Sequence, residues 1–371
     1  MEDKYAEQYP LDPMDDYLIH QLPQPLRHVY TSDARAYERF WFTAQDRVGE
    51  LFLVVGGGIY PNLDTAEAYA IVVHEGQHTT VRHFRRLGRD RMNLTFGPIQ
   101  LQVIEGLRTW RLQLQENDHG VSFDMLWHDT KRQVFDSMPG RYVRGRILAE
   151  TAGFEGFGYP EGTLTVGGRR FELSRERFMG SRDRHWGVRF GVGGPPHNPD
   201  VPAFAHGGQW VEFKDWSIWG NRILYNFGDP RPGAGRIVKQ DRKLRFDPQS
   251  HVFVEGVVTN VLEDGRTLDV HYERMNNQTA YLRCGMYGGP TGGTPEGDIW
   301  HGMYVGDHVT QSETYDVNDR DVQARLAGLD DHHCRVTCEG EVTYGIFEPI
   351  EPTAYEWCKA GVPGYSLLGE E

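Results

Sequence analysis

Cysteine is scarce in this sequence and comes late. The four thiols, Cys284, Cys334, Cys338 and Cys358, all fall in the last quarter of 371 residues. So few exclude a disulfide-stapled scaffold, and they read as reduced structural thiols. Positive charge is also in deficit, with 39 Lys and Arg against 53 Asp and Glu, a formal net charge of −14. That balance argues against nucleic acid and anionic membrane surfaces as partners. Local basic runs exist but are surrounded by acids, and RHFRRLGRDR (82–91) reads as a solvated strand or loop face. No window approaches the ~18 continuous apolar residues of a membrane helix. The acidic start MEDKYAEQYPLDPMDD lacks the basic and apolar regions of a signal peptide. The expectation is a soluble, cytoplasmic protein without stable membrane insertion, and a homodimer is left open.

Helical patterns are few as well. DPMDDYLIHQL (12–22) and TAYEWCKA (353–360) are the only stretches that suggest one. Hairpins recur instead, as β-rich runs joined by short polar turns. LRTWRLQLQENDHGVSFDMLW (107–127) turns at Asn117–Gly120, GTLTVGGRRFEL (162–173) at Gly167-Gly168, and HVFVEGVVTNVLEDGRTLDVHYERM (251–275) at Glu263–Gly265. Many strands with glycine-rich turns predict an all-β barrel or sandwich. The length exceeds the roughly 250 to 300 residues at which one core stops growing, so two domains are expected.

Three stretches resemble known chemical motifs. HEGQH (74–78) matches the H-E-x-x-H of zinc proteases, which works only where two histidines four apart share a helix face. Here AYAIVV leads straight into His74, and Glu75-Gly76 reads as a turn between strands. In DHHCRVTCEGE (331–341), Cys334 and Cys338 on a strand would sit ~13 Å apart, too far for one tetrahedral zinc. VVGGGIYPN (54–62) lacks phosphate-loop spacing and reads as a sheet bend or turn. No G-x-S-x-G elbow is present. Neither a metal nor a cofactor is expected.

The most specific stretch is GSRDRHWGVRF (180–190), following the Gly-x-Leu-x-Val-x-Gly hairpin at 162–168. Its Arg182-Asp183-x-x-Trp186-Gly187-x-Arg189 pattern resembles the AttH and carotenoid 1,2-hydratase (hydroxyneurosporene synthase) superfamily. YERFWFTAQDRVGELFLVVGGGIYPN (37–62) is similar to that superfamily's opening strands. The resemblance implies two consecutive lipocalin-like (calycin) β-barrel domains with a ligand cavity associated with their interface. It also implies an acid that protonates an alkene. In the carotenoid hydratase branch a histidine stands two positions before the motif tryptophan and a later Tyr-x-Asp carries the acid. This chain has Arg184 there with His185 beside it, and Tyr225-Asn226-Phe227 followed by Asp229, which puts carotenoid hydration itself in doubt.

On the residues alone, Asp183 has two readings. Arg182 and Arg184 would hold it ionised, as part of a buried ion-pair clasp with Arg182 and Arg189; desolvation against Trp186 would raise its pKa and let it deliver a proton. Trp186, Trp210, Trp216 and Trp219 fall within 34 residues. Such rings line an apolar pocket, stabilise a developing carbocation, or fill a core.

The candidate catalytic residues are thus His185, Tyr225, Asp229 and Asp183, with Trp186, Trp41, Trp210 and Trp219 as substrate-binding residues. The expected organisation is an N-terminal arm (1–30), a first lipocalin-like domain (31–195) and a second (196–371), joined through GVGGPPHNPDVP (191–202). The expected function is a cofactor-independent acid/base enzyme, a hydratase, dehydratase, isomerase or cyclase, acting on a terpenoid, steroid-like or polyketide-like molecule. The alternative is a non-catalytic carrier or sensor of a hydrophobic ligand.

Overall fold

The structure, a computed structural model, describes residues 13–131, 133, 135–143, 145–195, 207–226, 234–286, 294–296 and 299–369. Most of the expected connection at 191–202 lies outside the described residues. The chain is all-β, 59% strand and 6% helix, with one sheet bent into a half-barrel and a second closed as an eight-stranded barrel.

The half-barrel contains β1 (Ala36–Asp46), β2 (Leu51–Tyr60), β3 (Thr65–His74), β4 (Gln77–Arg86), β5 (Thr95–Phe96), β6 (Ile99–Glu105), β7 (Thr109–Leu114) and β8 (Val121–Asp129). It continues with β9 (Phe135–Val143), β10 (Arg146–Val166), β11 (Arg169–Leu173) and β12 (Phe178–Val188). The barrel contains β13 (Gln209–Glu212), β14 (Trp216–Trp219), β15 (Arg222–Tyr225), β16 (Ala234–Phe246), β17 (Phe253–Leu262) and β18 (Thr267–Tyr281). After β19 (His308–Asp316) and helix α1 (Arg320–Leu326) come β20 (Asp330–Cys338), β21 (Glu341–Phe347), helix α2 (Thr353–Lys359) and β22 (Tyr365–Leu367).

Strand order in the first sheet is β19-β4-β3-β2-β1-β12-β10-β8-β7-β6-β5, with β9 and β11 also on β10. In the second it is β15-β14-β13-β21-β20-β18-β17-β16-β22, closed by β15 pairing with β16. One strand crosses over: β19, late in the chain, pairs antiparallel with β4 and forms the edge of the first sheet.

Three apolar layers follow from the period-2 alternation of the strands. In β3 the small residues Ala66, Ala68 and Ala70, with Val72, face the half-barrel core, while Ile71 and Val73, with Tyr69, face a seam between the two sheets. Every position of β2 and β3 is buried, because the sheet is covered on both faces. The third layer fills the barrel, around Leu244, Phe253, Val270, Cys334 and Phe347.

The expected hairpins form. Gly167 and Gly168 join β10 to β11 with φ of 56° and 79°, the paired positive φ of a two-residue turn. HEGQH is also a hairpin: His74 ends β3, Gln77 begins β4, and Glu75 and Gly76 between them have φ of 49° and 75°. His74 pairs with Gln77 and His78 with Val73, so the two histidines point to opposite faces. His74 packs on Phe171, whereas His78 Nε2 accepts from the Tyr281 backbone N–H at 3.1 Å.

Three expectations are corrected. VVGGGIYPN is no bend, because its glycines lie inside β2, where a Cβ on Gly56 would meet the Tyr69 hydroxyl at 2.3 Å. The run at 82–91 is not a solvated face: Arg82 and Arg85 are buried, Arg82 bonding Glu313 and the Cys284 carbonyl and Arg85 bonding backbone carbonyls. Among the described residues of 12–22 only a four-residue 3-10 turn, Pro13–Asp16, is helical.

Candidate active site

Alternation along β12 divides the Arg-Asp-x-x-Trp motif between two environments. Arg182 points away from the seam and makes two hydrogen bonds to Asp129, each 2.8 Å, with both side chains fully buried. Arg184 lies over Trp110, and Trp186 packs beside Phe154 and Phe135 on that same side of the strand. Asp183 and His185 point the other way, into the seam. The clasp expected of Arg182, Asp183 and Arg189 is therefore two separate arrangements: Arg182 with Asp129, and Asp183 with Arg39 of β1. Arg189 lies over the Tyr37 ring.

The order β1-β12-β10 brings the seam cluster together. Trp41 and Glu155 both stand opposite Asp183, and Arg39 stands opposite His185. The Arg39 Nη2 group donates to Asp183 Oδ2 and lies 3.3 Å from His185 Nδ1. His185 Nδ1 is 3.4 Å from Asp183 Oδ2, and its Nε2 is 2.8 Å from Glu155 Oε1, an ion-pair contact off the direction of an ideal hydrogen bond. Gly153 opposite His185 leaves room for the ring; a Cβ there would meet His185 Cδ2 at 2.2 Å.

The second sheet closes the other side. Trp210 of β13 and Trp219 of β14 are cross-strand partners. Their rings pack against Trp41 at 5.5 Å and His185 at 6.3 Å, respectively. Neither indole nitrogen has a hydrogen-bond partner. Asp331 of β20 faces Trp41 and Glu348, which follows β21. Glu348 is partly exposed as a residue, but its carboxyl is enclosed. A crevice of about 10 Å³, lined by Tyr37, Arg39, Trp41, Tyr69 and His301, touches this cluster at Arg39 and Trp41.

These contacts set the protonation states. Burial raises the Glu155 carboxyl to about 7, against the lowering effects of His185 and Arg39. Burial alone would lower the His185 pKa, but Glu155 and Asp183 outweigh it and the imidazole is raised. Burial likewise raises Asp331 to about 7 and Glu348 well above the usual carboxylate range. Near neutral pH the Glu155–His185 pair can hold or release a proton, which is what acid/base chemistry requires.

Glu155, Asp183 and His185 also place ligand atoms within 4.8 Å of one another, close enough to be compared with a metal site. The Arg39 guanidinium donates to Asp183 and lies beside His185 Nδ1, so a positive charge already stands next to the trio.

Of the residues expected from the sequence, Asp183, His185, Trp41, Trp210 and Trp219 meet in one place. Trp186 lies on the opposite face of β12. Tyr225 packs with Ile223 against the barrel interior, the face of β15 opposite Leu224 and the seam. Asp229 lies outside the described residues. Sequence reasoning missed Arg39, Glu155, Asp331 and Glu348. Two of them had a local signal: Arg39 precedes Trp41 by one strand period, and Glu155 is a lone charge in the buried run GFEGFG.

An open polar cleft of about 550 Å³, lined by His74, Glu75, Arg169, Asn276 and Asn318, lies at the HEGQH hairpin, away from the buried cluster. Among the described residues no helix is long and apolar enough to cross a membrane.

Fold and site together define a two-part β-barrel protein with an ionisable cluster enclosed at the seam. Residues 11–216 match the model of a family of unknown function (DUF8625), and the chain belongs to that family. No curated protein matches it. Among solved structures, it is similar to a protein provisionally assigned as AttH from Nitrosomonas europaea, at 12% identity over 85% of this chain and 92% of that one, TM-score 0.47. It is also similar to kievitone hydratase from Nectria haematococca, at 13% identity over 84% of this chain and 88% of that one, TM-score 0.44.

Proposed function

We propose that the protein is a cofactor-independent acid/base enzyme of the hydratase or dehydratase type, acting on a hydrophobic small molecule that is terpenoid, steroid-like or polyketide-like. The observation that carries this reading is the Glu155–His185 pair, buried at 2.8 Å beside three tryptophan rings. In the hydration direction the pair delivers its proton to an alkene carbon. The tryptophan faces stabilise the developing positive charge, and the attacking water returns a proton to the pair as its oxygen bonds to carbon. Dehydration runs the same steps in reverse. Arg39, fixed by Asp183, orients the imidazole.

A passive carrier needs only the apolar wall. Glu155 Oε2 and Asp183 Oδ1 are buried without hydrogen-bond partners, a cost that binding alone does not require and that perturbed groups at reaction sites commonly carry. A cytoplasmic setting fits the four cysteines, all buried and unpaired.

The test is incubation in D2O with a panel of isoprenoid, steroid-like and polyketide-like alkenes and tertiary alcohols, read by mass spectrometry. Carbon-bound deuterium is expected with the wild type, and about 100-fold or more less with Glu155→Gln. A compound that quenches tryptophan emission, yet exchanges equally slowly with both proteins, identifies a carrier instead.

A further inference from the structure

A second ionisable cluster lies on the opposite face of β20, inside the barrel. Asp330 and His332 point inward from the strand that sends Asp331 to the seam, and Glu351 reaches them from the segment before α2. All three are fully buried. Each has one side-chain atom engaged at its periphery. His332 Nδ1 is 2.8 Å from Thr279 Oγ1, its cross-strand neighbour on β18. Asp330 Oδ2 accepts from the Gly328 backbone N–H at 3.1 Å, and Glu351 Oε1 accepts from that of Phe253. The remaining atoms, Asp330 Oδ1, His332 Nε2 and Glu351 Oε2, have no hydrogen-bond partner. The three residues place ligand atoms within 4.8 Å of one another.

We propose that Asp330, His332 and Glu351 form a buried binding site for a divalent transition-metal ion, with zinc the best match to their donor set. One imidazole nitrogen and two carboxylate oxygens suit zinc, whereas calcium and magnesium favour oxygen alone. His332 Nε2 and Glu351 Oε2 are 3.3 Å apart, the separation of two ligands on a tetrahedral ion with bonds of ~2.0–2.1 Å. The outer contacts are those that orient metal ligands: in the tautomer whose Nδ1–H donates to Thr279 Oγ1 the Nε2 lone pair faces inward, and backbone N–H groups hold each carboxylate by its other oxygen. A divalent ion also balances two carboxylates that are otherwise costly to bury together. Arg274 of β18 is the competing cation, acting on His332 and Glu351 from the barrel wall. Without a metal, Arg274 and a proton shared by Asp330 and Glu351 would balance the cluster.

The full-length protein is loaded with zinc, dialysed into metal-free buffer and assayed by mass spectrometry for metal per chain. The expected result is one zinc per chain in the wild type and in Glu155→Gln, which alters the seam cluster, and none in Glu351→Gln or His332→Gln. Cobalt in place of zinc should give the visible absorption of a tetrahedral site. Zinc should raise the thermal midpoint by several degrees, and a chelator should reverse the rise. These last two readouts use the wild type alone, so they stand if the variants do not fold. Failure to retain zinc together with an unmoved midpoint overturns the site. So does zinc that is lost in Glu155→Gln but kept in Glu351→Gln.

Discussion

His185 Nε2 lies 2.8 Å from Glu155 Oε1, and this one contact joins the strand of the Arg-Asp-x-x-Trp motif to the part of β10 that precedes the Gly-x-Leu-x-Val-x-Gly hairpin. The pair is held by neighbouring strands of one sheet, so its geometry depends on β10–β12 register and not on a loop.

Stability should fall with rising pH because of this pair. Glu155 is raised from 4.5 to about 7, so the folded protein binds its proton more tightly than the unfolded chain. That contribution is complete below 4.5 and is lost as pH rises to about 7. His185, raised from 6.5, adds a loss of the same sign at its higher range. Glu155→Gln removes the first effect and weakens the second. Urea midpoints across this range should therefore decline less steeply in the variant than in the wild type.

Catalysis should be lost on the alkaline side, where the pair gives up its last proton. In Glu155→Gln, the His185 imidazole loses the carboxylate that supports its charge, and burial then drives its pKa down. The alkaline limb of kcat/KM should move to lower pH. A limb that stays in place would show that the pair is not the proton source.

Arg182 and Asp129 make a different prediction, because they serve architecture. Asp129→Asn strands a fully buried guanidinium and should cost about 3–5 kcal/mol by equilibrium unfolding. Ligand binding should be unchanged in the fraction that folds, since Arg182 faces away from the seam. A variant of wild-type stability would refute the structural role.

The HEGQH hairpin can be probed with two glycines. Gly76 and Gly120 have φ of 75° and 74°, but a Cβ at Gly76 would meet Asn318 Nδ2 at 1.9 Å, while one at Gly120 meets nothing within 4 Å. Gly120→Ala should cost the left-handed backbone penalty of about 1–2 kcal/mol. Gly76→Ala should cost more, as read from thermal unfolding of both variants. Equal losses would mean that Asn318 moves aside freely.

The sequence carried the local rules well and the long-range ones poorly. The turns at Glu75-Gly76 and Gly167-Gly168 were legible because a two-residue hairpin restricts its own residue types. His185, Trp41, Trp210 and Trp219 were legible through a motif and through aromatic density. Arg39 and Glu155 were not, since a lone charge in a strand looks the same whether it faces water or a buried partner from another strand. The buried Arg82 failed for that reason: its partner Glu313 is 231 residues away. Asp331 was hidden by alternation, which sends adjacent residues of DDHHC into two different interiors.

The crossing of β19 onto β4 ties the order of synthesis to the completion of the first sheet. Between Arg86 and His308 lie about 220 residues, which a ribosome adds in roughly 10 to 40 s. Throughout that interval the β4 edge has no β19 to pair with, and an open strand edge is a template for foreign pairing. Chains stalled on the ribosome short of His308 should show β4 amides that exchange freely with solvent, and release past Asp316 should protect them. When the missing strand arrives it is HVTQSETYD, with alternate residues exposed, so the sheet finally ends in a polar border.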